Sequence, residues 1–223
     1  MTIKLFFQAI SKFLIGVLLI ALILFLSAGT LSYPNGWLFL AILFIPMFFA
    51  GIVMMFKNPD LLKKRLNAKE KESEQKTVLA LSAVMFLAAF VAAGLCFRFG
   101  WLLLPTWAVI VGAVVFLLSY VMYAEVLREN VFLSRTVEVQ ENQTVIDTGL
   151  YGIVRHPMYS AALILFLSMG IVLGSPISFA ILLFYIPVIA KRIKNEEKVL
   201  EEGLDGYTEY KKRVKYKIIP FIW

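Results

Sequence analysis

The sequence predicts an all-α, polytopic membrane protein with about six transmembrane helices, and three observations lead there. Hydrophobic residues make up 61% of the chain and charged residues only 17%, too apolar a balance for a soluble domain and too varied for a low-complexity tract. Apolar runs of about 20 residues, enough to cross roughly 30 Å of hydrocarbon, recur along the chain. Lysine and arginine collect in alternate loops, as they do when basic loops stay on the cytoplasmic side.

The runs follow in order. Residues 13–31 come after Lys4 and Lys12 and end in small residues, an outline shared with signal peptides. The apolar run is longer than a signal core, and the five later runs need a partner to place their charges, so it is read as a span. Runs 37–56 and 78–97 are the second and third, and 101–126 is the fourth. Two shorter runs, 159–173 and 177–190, are separated only by "GSP", a tight-turn signal. No linker, shift of composition or fixed-period repeat divides the chain. It reads as a single membrane domain over 1–223, with N-terminal spans in 1–125 and a half richer in polar types in 126–223.

Charge sets the expected orientation. The loop 57–76 is basic, while "LSYPNG" and "GSP" carry no charge, and only Arg98 falls on the opposite side. Both termini are therefore expected in the cytoplasm, with Arg128, Arg135, Arg155 and the C-terminal cluster. The formal charge of +7 then reflects topology and contact with anionic lipid heads rather than nucleic-acid binding. Without a recognisable retention or targeting signal, the expected home is the plasma (inner) membrane of a bacterium. The single cysteine, Cys96, has no partner for a disulfide and belongs to no metal set; it reads as a buried small hydrophobe. Nothing in the sequence sets an oligomeric state.

Two segments stand apart in polar variety. "SRTVEVQENQTVIDTGLY" has no helical stripe and reads as an extended loop over the cytoplasmic mouth of the bundle. In the tail, "AKRIKNEEKVLEEG" continues the last run as a helix to Gly203, a plausible cap. A second helix over "GYTEYKKRVKYK" would place Tyr207, Tyr210, Val214 and Ile218 near one face. Such a face suits the membrane surface, or a lid.

"GLYGIVRHPMYSAAL" contains the only histidine. Pro157 suits the first position of a helix, where its missing N–H has no partner to lose, which makes His156 the cap. The first turn of that helix would offer unpaired N–H groups and positive dipole to a carboxylate or phosphate, and Arg155 would add a full charge. Gly149 and Gly152 flank Tyr151, and Tyr159 adds a second ring with a hydroxyl. The plain alternative is an interfacial tyrosine cluster around a capping histidine. On the last helix Arg192 and Glu196 are four apart and share a face, while Glu197 and Lys194 read as its solvated side.

Taken together, "GLYGIVRHPMYSA", a tightly turned helical hairpin, "RIKNEEKVL" and "GYTEYKKRVKYKIIP" resemble the C-terminal half of the isoprenylcysteine carboxyl methyltransferase family of integral membrane enzymes. The resemblance runs from about Val137 to the C-terminus; 1–125 match only in being hydrophobic spans. It implies S-adenosyl-L-methionine as methyl donor, in a cytoplasmic cofactor pocket formed by the C-terminal half. The acceptor, a lipophilic small molecule or lipidated group, would enter from the bilayer. Carried over by position, Tyr151, His156, Pro157, Met158 and Tyr159 would line that pocket, Glu196 would contact the cofactor, and Arg192 would face the acceptor carboxylate. Arg192 and Glu196 are thus the implied catalytic pair. "QTVI", with Gln143, Val145 and Ile146, aligns with another cofactor-contacting stretch that in the family often begins with histidine.

Three other readings stay open on the sequence. A phosphatidylethanolamine-type N-methyltransferase or a thiol methyltransferase keeps the cofactor and changes the acceptor, although Arg192 would repel an ammonium. Sterol reductases have a related C-terminal arrangement and use a nicotinamide cofactor, but their longer segments are missing here. A membrane scaffold with an inactive pocket would bind no cofactor.

Overall fold

A computed structural model describes residues 3–66, 73–134 and 137–223. The middle of the basic loop, 67–72, and Arg135 lie outside the described residues. The chain folds into helices α1 (Ile3–Ala28), α2 (Pro34–Lys57), α3 (Pro59–Leu66), α4 (Ser73–Phe99), α5 (Thr106–Glu129), α6 (Pro157–Val172), α7 (Pro176–Leu182), α8 (Tyr185–Gly203) and α9 (Tyr207–Arg213). A 3-10 turn over Gly149–Gly152 precedes α6.

Among the described residues, five stretches are long and apolar enough to cross a membrane: Leu5–Ala28, Pro34–Lys57, Lys76–Phe99, Thr106–Glu129 and Pro176–Gly203. Their outer faces leave Leu18, Leu22, Val84, Ile110 and Leu118 exposed, which water would penalise and lipid does not. Inward, Tyr33, Phe39 and Phe116 are fully buried. α6 packs along α5, and α7 along α4. Gly112 of α5 makes the first contact close, since a Cβ there would lie 2.6 Å from the Ile171 side chain.

The sixth expected span departs from a simple crossing. α6 has 16 residues, about 24 Å at 1.5 Å per residue, shorter than the hydrocarbon core. Its turn, Leu173 to Ser175, is buried under neighbouring loops rather than exposed. The Tyr33 hydroxyl donates to Leu173 O at 2.6 Å and Leu104 N to Gly174 O at 3.0 Å. Ser175 donates to Cys96 Sγ at 3.2 Å and accepts from Ser178 N at 3.1 Å. Irregular backbone shielded from water survives only when protein satisfies its polar groups in this way.

The run 177–190 is not one continuous helix either. It breaks between α7 and α8 at Leu183 and Phe184, four residues before Pro187, whose ring crowds the Leu183 carbonyl and offers it no N–H. Beyond the break, α8 turns amphipathic: Ile189, Arg192, Ile193 and Glu197 are its buried face. Gly203 is its last residue, and the left-handed backbone falls at Gly206, φ +80°, which starts α9.

α3 follows the same logic on the basic loop. Leu62 packs with Leu5 and Met55, and Leu66 against them, leaving Lys63 exposed.

Candidate active site

Pro157 opens α6 as expected, with His156 at the cap position. The imidazole makes no cap bond; it turns toward α8 instead. The main chain before the helix is held by the tail: Arg155 N donates to Tyr216 O at 2.9 Å and His156 N to Lys217 O at 2.8 Å. Ser160, one turn into α6, donates to Ile218 O at 2.6 Å. This pairing keeps 214–217 extended, so α9 ends at Arg213 rather than running through the lysines.

Glu197 overturns its reading as a solvated residue. It is 4% exposed, because α9 and the tail cover the face of α8 that carries it. Its Oε1 accepts from Arg155 Nε at 2.8 Å and lies 3.2 Å from His156 Nε2. Lys211 and Lys217 approach its Oε2 at 3.7 and 3.8 Å. Lys194, by contrast, is exposed as expected. Arg155 also departs from its expected role, since it supplies no open anion site. Its Nη1 donates to Val214 O and Lys215 O at 2.7 and 2.8 Å, and Glu197 balances its charge. Burying such a pair is costly unless its remaining hydrogen bonds are made, and here they are.

One turn away, Tyr159 joins Arg192 to Glu196. Arg192 Nε donates to the Tyr159 hydroxyl at 2.8 Å, and that hydroxyl donates to Glu196 Oε2. His156 stacks on the Tyr159 ring at 5.7 Å between centroids, and its Nδ1 lies 3.9 Å from Glu196 Oε1. The four-residue spacing of Arg192 and Glu196 therefore places them on one face, bridged by a phenol.

These residues line a cavity with about 830 Å³ of non-atom space, its open mouth included. Gln143, Val145, Ile146, Tyr151, His156, Met158, Tyr159, Arg192 and Glu196 all border it. Pro157 does not; it is fully buried at the helix start. Gln143 closes a turn as well, accepting from Gln140 N through Oε1 at 2.8 Å, so its amide group is oriented before any ligand arrives.

The cavity also takes in side chains that the sequence reading did not assign to it. Leu200 and Leu204 continue the four-residue register of Arg192 and Glu196 along α8 and beyond. That register was a usable signal. Tyr207 and Tyr210 line the cavity from α9 and cluster with Leu204 and Val214, so the tyrosine face is a wall of the site rather than a membrane-surface stripe. Glu138 carried no signal in the sequence. Asn130, capping the end of α5, donates to the Tyr151 hydroxyl at 2.9 Å, and Tyr210 donates to Tyr151 O at 2.8 Å. Burial, partly offset by the Asn130 bond, pushes the Tyr151 hydroxyl up to about 12. Burial raises Tyr210 further. Both stay neutral hydroxyls at physiological pH.

Residues 108–202, which include α6, α7 and most of α8, match the profile of the Isoprenylcysteine carboxyl methyltransferase (ICMT) family. Over this segment, less than half of the chain, it is similar to the ICMT family. The solved structure of the eukaryotic intramembrane Ras methyltransferase ICMT, determined without a monobody, has the same fold. The TM-score is 0.61 at 19% identity, over 96% of this chain and 77% of that one. Delta(14)-sterol reductase TM7SF2 of Mus musculus is 29% identical over 91 residues. That match takes in 40% of this chain and 22% of the reductase, so the ICMT-like chain spans about a fifth of this curated relative. The His156 turn, Glu196 and Glu197 lie inside the family segment; α9 and the tail that buttress them lie outside it.

Proposed function

We propose that the chain transfers a methyl group from S-adenosylmethionine to a lipophilic carboxylate acceptor in the membrane. The observation that carries this reading is the meeting of His156, Tyr159, Arg192 and Glu196 with the 143–146 stretch around one cavity at the end of an apolar bundle. The ICMT-family segment and fold support it. In this reading 1–223 act as one membrane domain in which 1–125 scaffold the site. The cavity mouth and both termini face the cytoplasm of a bacterial cell.

The lining suits the cofactor chemically. Glu138 and Glu196 provide carboxylates for a cationic ligand, Gln143 an amide, and Val145, Met158, Leu200 and Leu204 apolar surface. The cofactor supplies an electrophilic methyl carried on a sulfonium.

The chain's own residues then have simple tasks. A carboxylate acceptor is already ionised at neutral pH, so no residue has to remove a proton from it. Arg192, oriented through Nε by Tyr159, would hold that carboxylate by charge-assisted hydrogen bonds. Glu196, fixed by the same hydroxyl, would take the ammonium of the cofactor's amino-acid end. The wall formed by α9 and 137–146 would exclude water and hold the two reactants in line. An ammonium acceptor, as in phospholipid N-methylation, would meet repulsion from Arg192; a thiol acceptor would need a base.

Calorimetric titration of S-adenosylhomocysteine into the detergent-purified protein tests the reading, beside a variant with His156→Ala and Tyr159→Ala. Micromolar binding that the variant loses supports it, and a folded wild type that binds nothing refutes it.

The similarity to a sterol reductase favours a second reading, a nicotinamide-dependent membrane reductase. Against it, the match takes in only 22% of that reductase; the cavity lining sets Glu138 and Glu196 beside Arg155 and Arg192 and does not decide by charge. Binding of NADPH in place of S-adenosylhomocysteine would reverse the preference.

A further inference from the structure

Tyr207 opens α9 and lines the cavity, yet it is only 4% exposed. Its hydroxyl is fully buried and has no hydrogen-bond partner among the described residues. Tyr210, one turn along the same face, supplies the contrast, since its hydroxyl is satisfied by Tyr151 O at 2.8 Å. A buried hydroxyl left without a partner is destabilising, because it has given up water and gained no bond in return. A phenylalanine would fill the same ring space without that cost. Packing against Leu204, Tyr210 and Val214 sets where the ring lies, so the position of the hydroxyl is imposed by the wall rather than by a bond of its own.

Charge around the hydroxyl narrows what could satisfy it. Glu197, Glu196 and Arg155 all act on it electrostatically, and burial followed by the two carboxylates keeps it protonated far above the usual tyrosine range. It is therefore a standing donor on the wall of the cavity that Glu196 also lines. In a zwitterionic amino acid the group next to an ammonium is a carboxylate, which accepts.

We propose that Tyr207 is a ligand-binding residue whose hydroxyl donates to the α-carboxylate of the cofactor's amino-acid end, while Glu196 takes the neighbouring ammonium. This rests on the cofactor reading above. Two probes separate its failure from the failure of that reading. S-adenosylhomocysteine carries the amino-acid end, and 5′-methylthioadenosine lacks it.

The experiment is calorimetry of both probes with wild type and Tyr207→Phe, together with thermal unfolding of each protein without ligand and of Tyr210→Phe as a control. Expected for Tyr207→Phe are at least fivefold weaker binding of S-adenosylhomocysteine, unchanged binding of methylthioadenosine, and an unfolding midpoint equal to or above wild type. Tyr210→Phe, which loses a made hydrogen bond, should unfold at lower temperature. Unchanged S-adenosylhomocysteine affinity in Tyr207→Phe overturns the assignment and leaves the cofactor reading standing. Equal weakening of both probes with a lower midpoint overturns it in favour of a structural wall residue. A folded wild type that binds neither probe overturns the cofactor reading and the assignment with it.

Discussion

The Tyr159 hydroxyl takes a hydrogen bond from Arg192 Nε at 2.8 Å and passes its own proton to Glu196. One phenol on α6 thus orients both charged groups of α8 that face the cavity. Removing it should disturb both at once. For Tyr159→Phe we predict about tenfold weaker binding of S-adenosylhomocysteine, the scale of one charge-assisted hydrogen bond. Calorimetry beside wild type checks this, and an unchanged affinity would show that Glu196 needs no orienting.

Arg192→Ala should divide the two functions. Methyl transfer to an S-farnesylated cysteine carboxylate should fall by at least a hundredfold, while S-adenosylhomocysteine affinity stays within a few fold of wild type. Equal losses in both would sink the division between an acceptor-holding arginine and a cofactor-holding glutamate.

Glu197→Gln keeps the shape of the side chain and strands Arg155, which is as buried as its partner. Breaking a buried pair from one side costs about 3–5 kcal/mol. Lys211, with its side chain 38% exposed, should contribute below about 1 kcal/mol on replacement by alanine. Denaturant titration in mixed micelles of the two variants measures the contrast, and similar losses would contradict the inside placement of the Arg155–Glu197 pair.

Gly149 has φ +51°, and a Cβ there would lie 2.6 Å from the Glu129 carboxylate. Thr148 donates to that same carboxylate at 2.9 Å. Gly149→Ala should therefore cost about 1–2 kcal/mol from the left-handed backbone plus a steric part. Adding Glu129→Ala should recover the steric part alone, so the double variant should be more stable than the sum of the single losses. Strict additivity would exclude the clash.

Tyr151 yields a pH prediction. Its hydroxyl titrates near 10 when unfolded and at about 12 when folded, so the folded protein binds the extra proton between those values. The contribution is fully present below pH 10 and is lost as pH rises toward about 12. Unfolding midpoints measured from pH 9 to 12 should fall more steeply for wild type than for Tyr151→Phe, and parallel slopes would argue against the burial of this hydroxyl.

The spans were legible because hydrocarbon demands length and apolarity, and both are written in single residues. The N-terminal turn of α6 was legible because Pro157 tolerates few other places. Glu197 was not, since its neighbour Glu196 has the same chemistry and only the fold of the tail over α8 decides which side is covered. Arg155 was misread for the same reason: its partner is 42 residues away. The break before α8 had its signal in Pro187, which a window average over 177–190 smooths away. Tyr207 and Tyr210 showed their shared face, but not the surface it meets.

The buried turn at Gly174 changes how this chain answers to labelling. Cysteines, tags or acceptor sites placed between Leu173 and Ser175 will be shielded from reagents on either side of the bilayer. An accessibility map to aqueous reagents would then record 157–190 as one uninterrupted hidden segment. Its two arms would be counted as one crossing, and a topology counted back from the C-terminus would assign every segment before the hairpin to the wrong compartment.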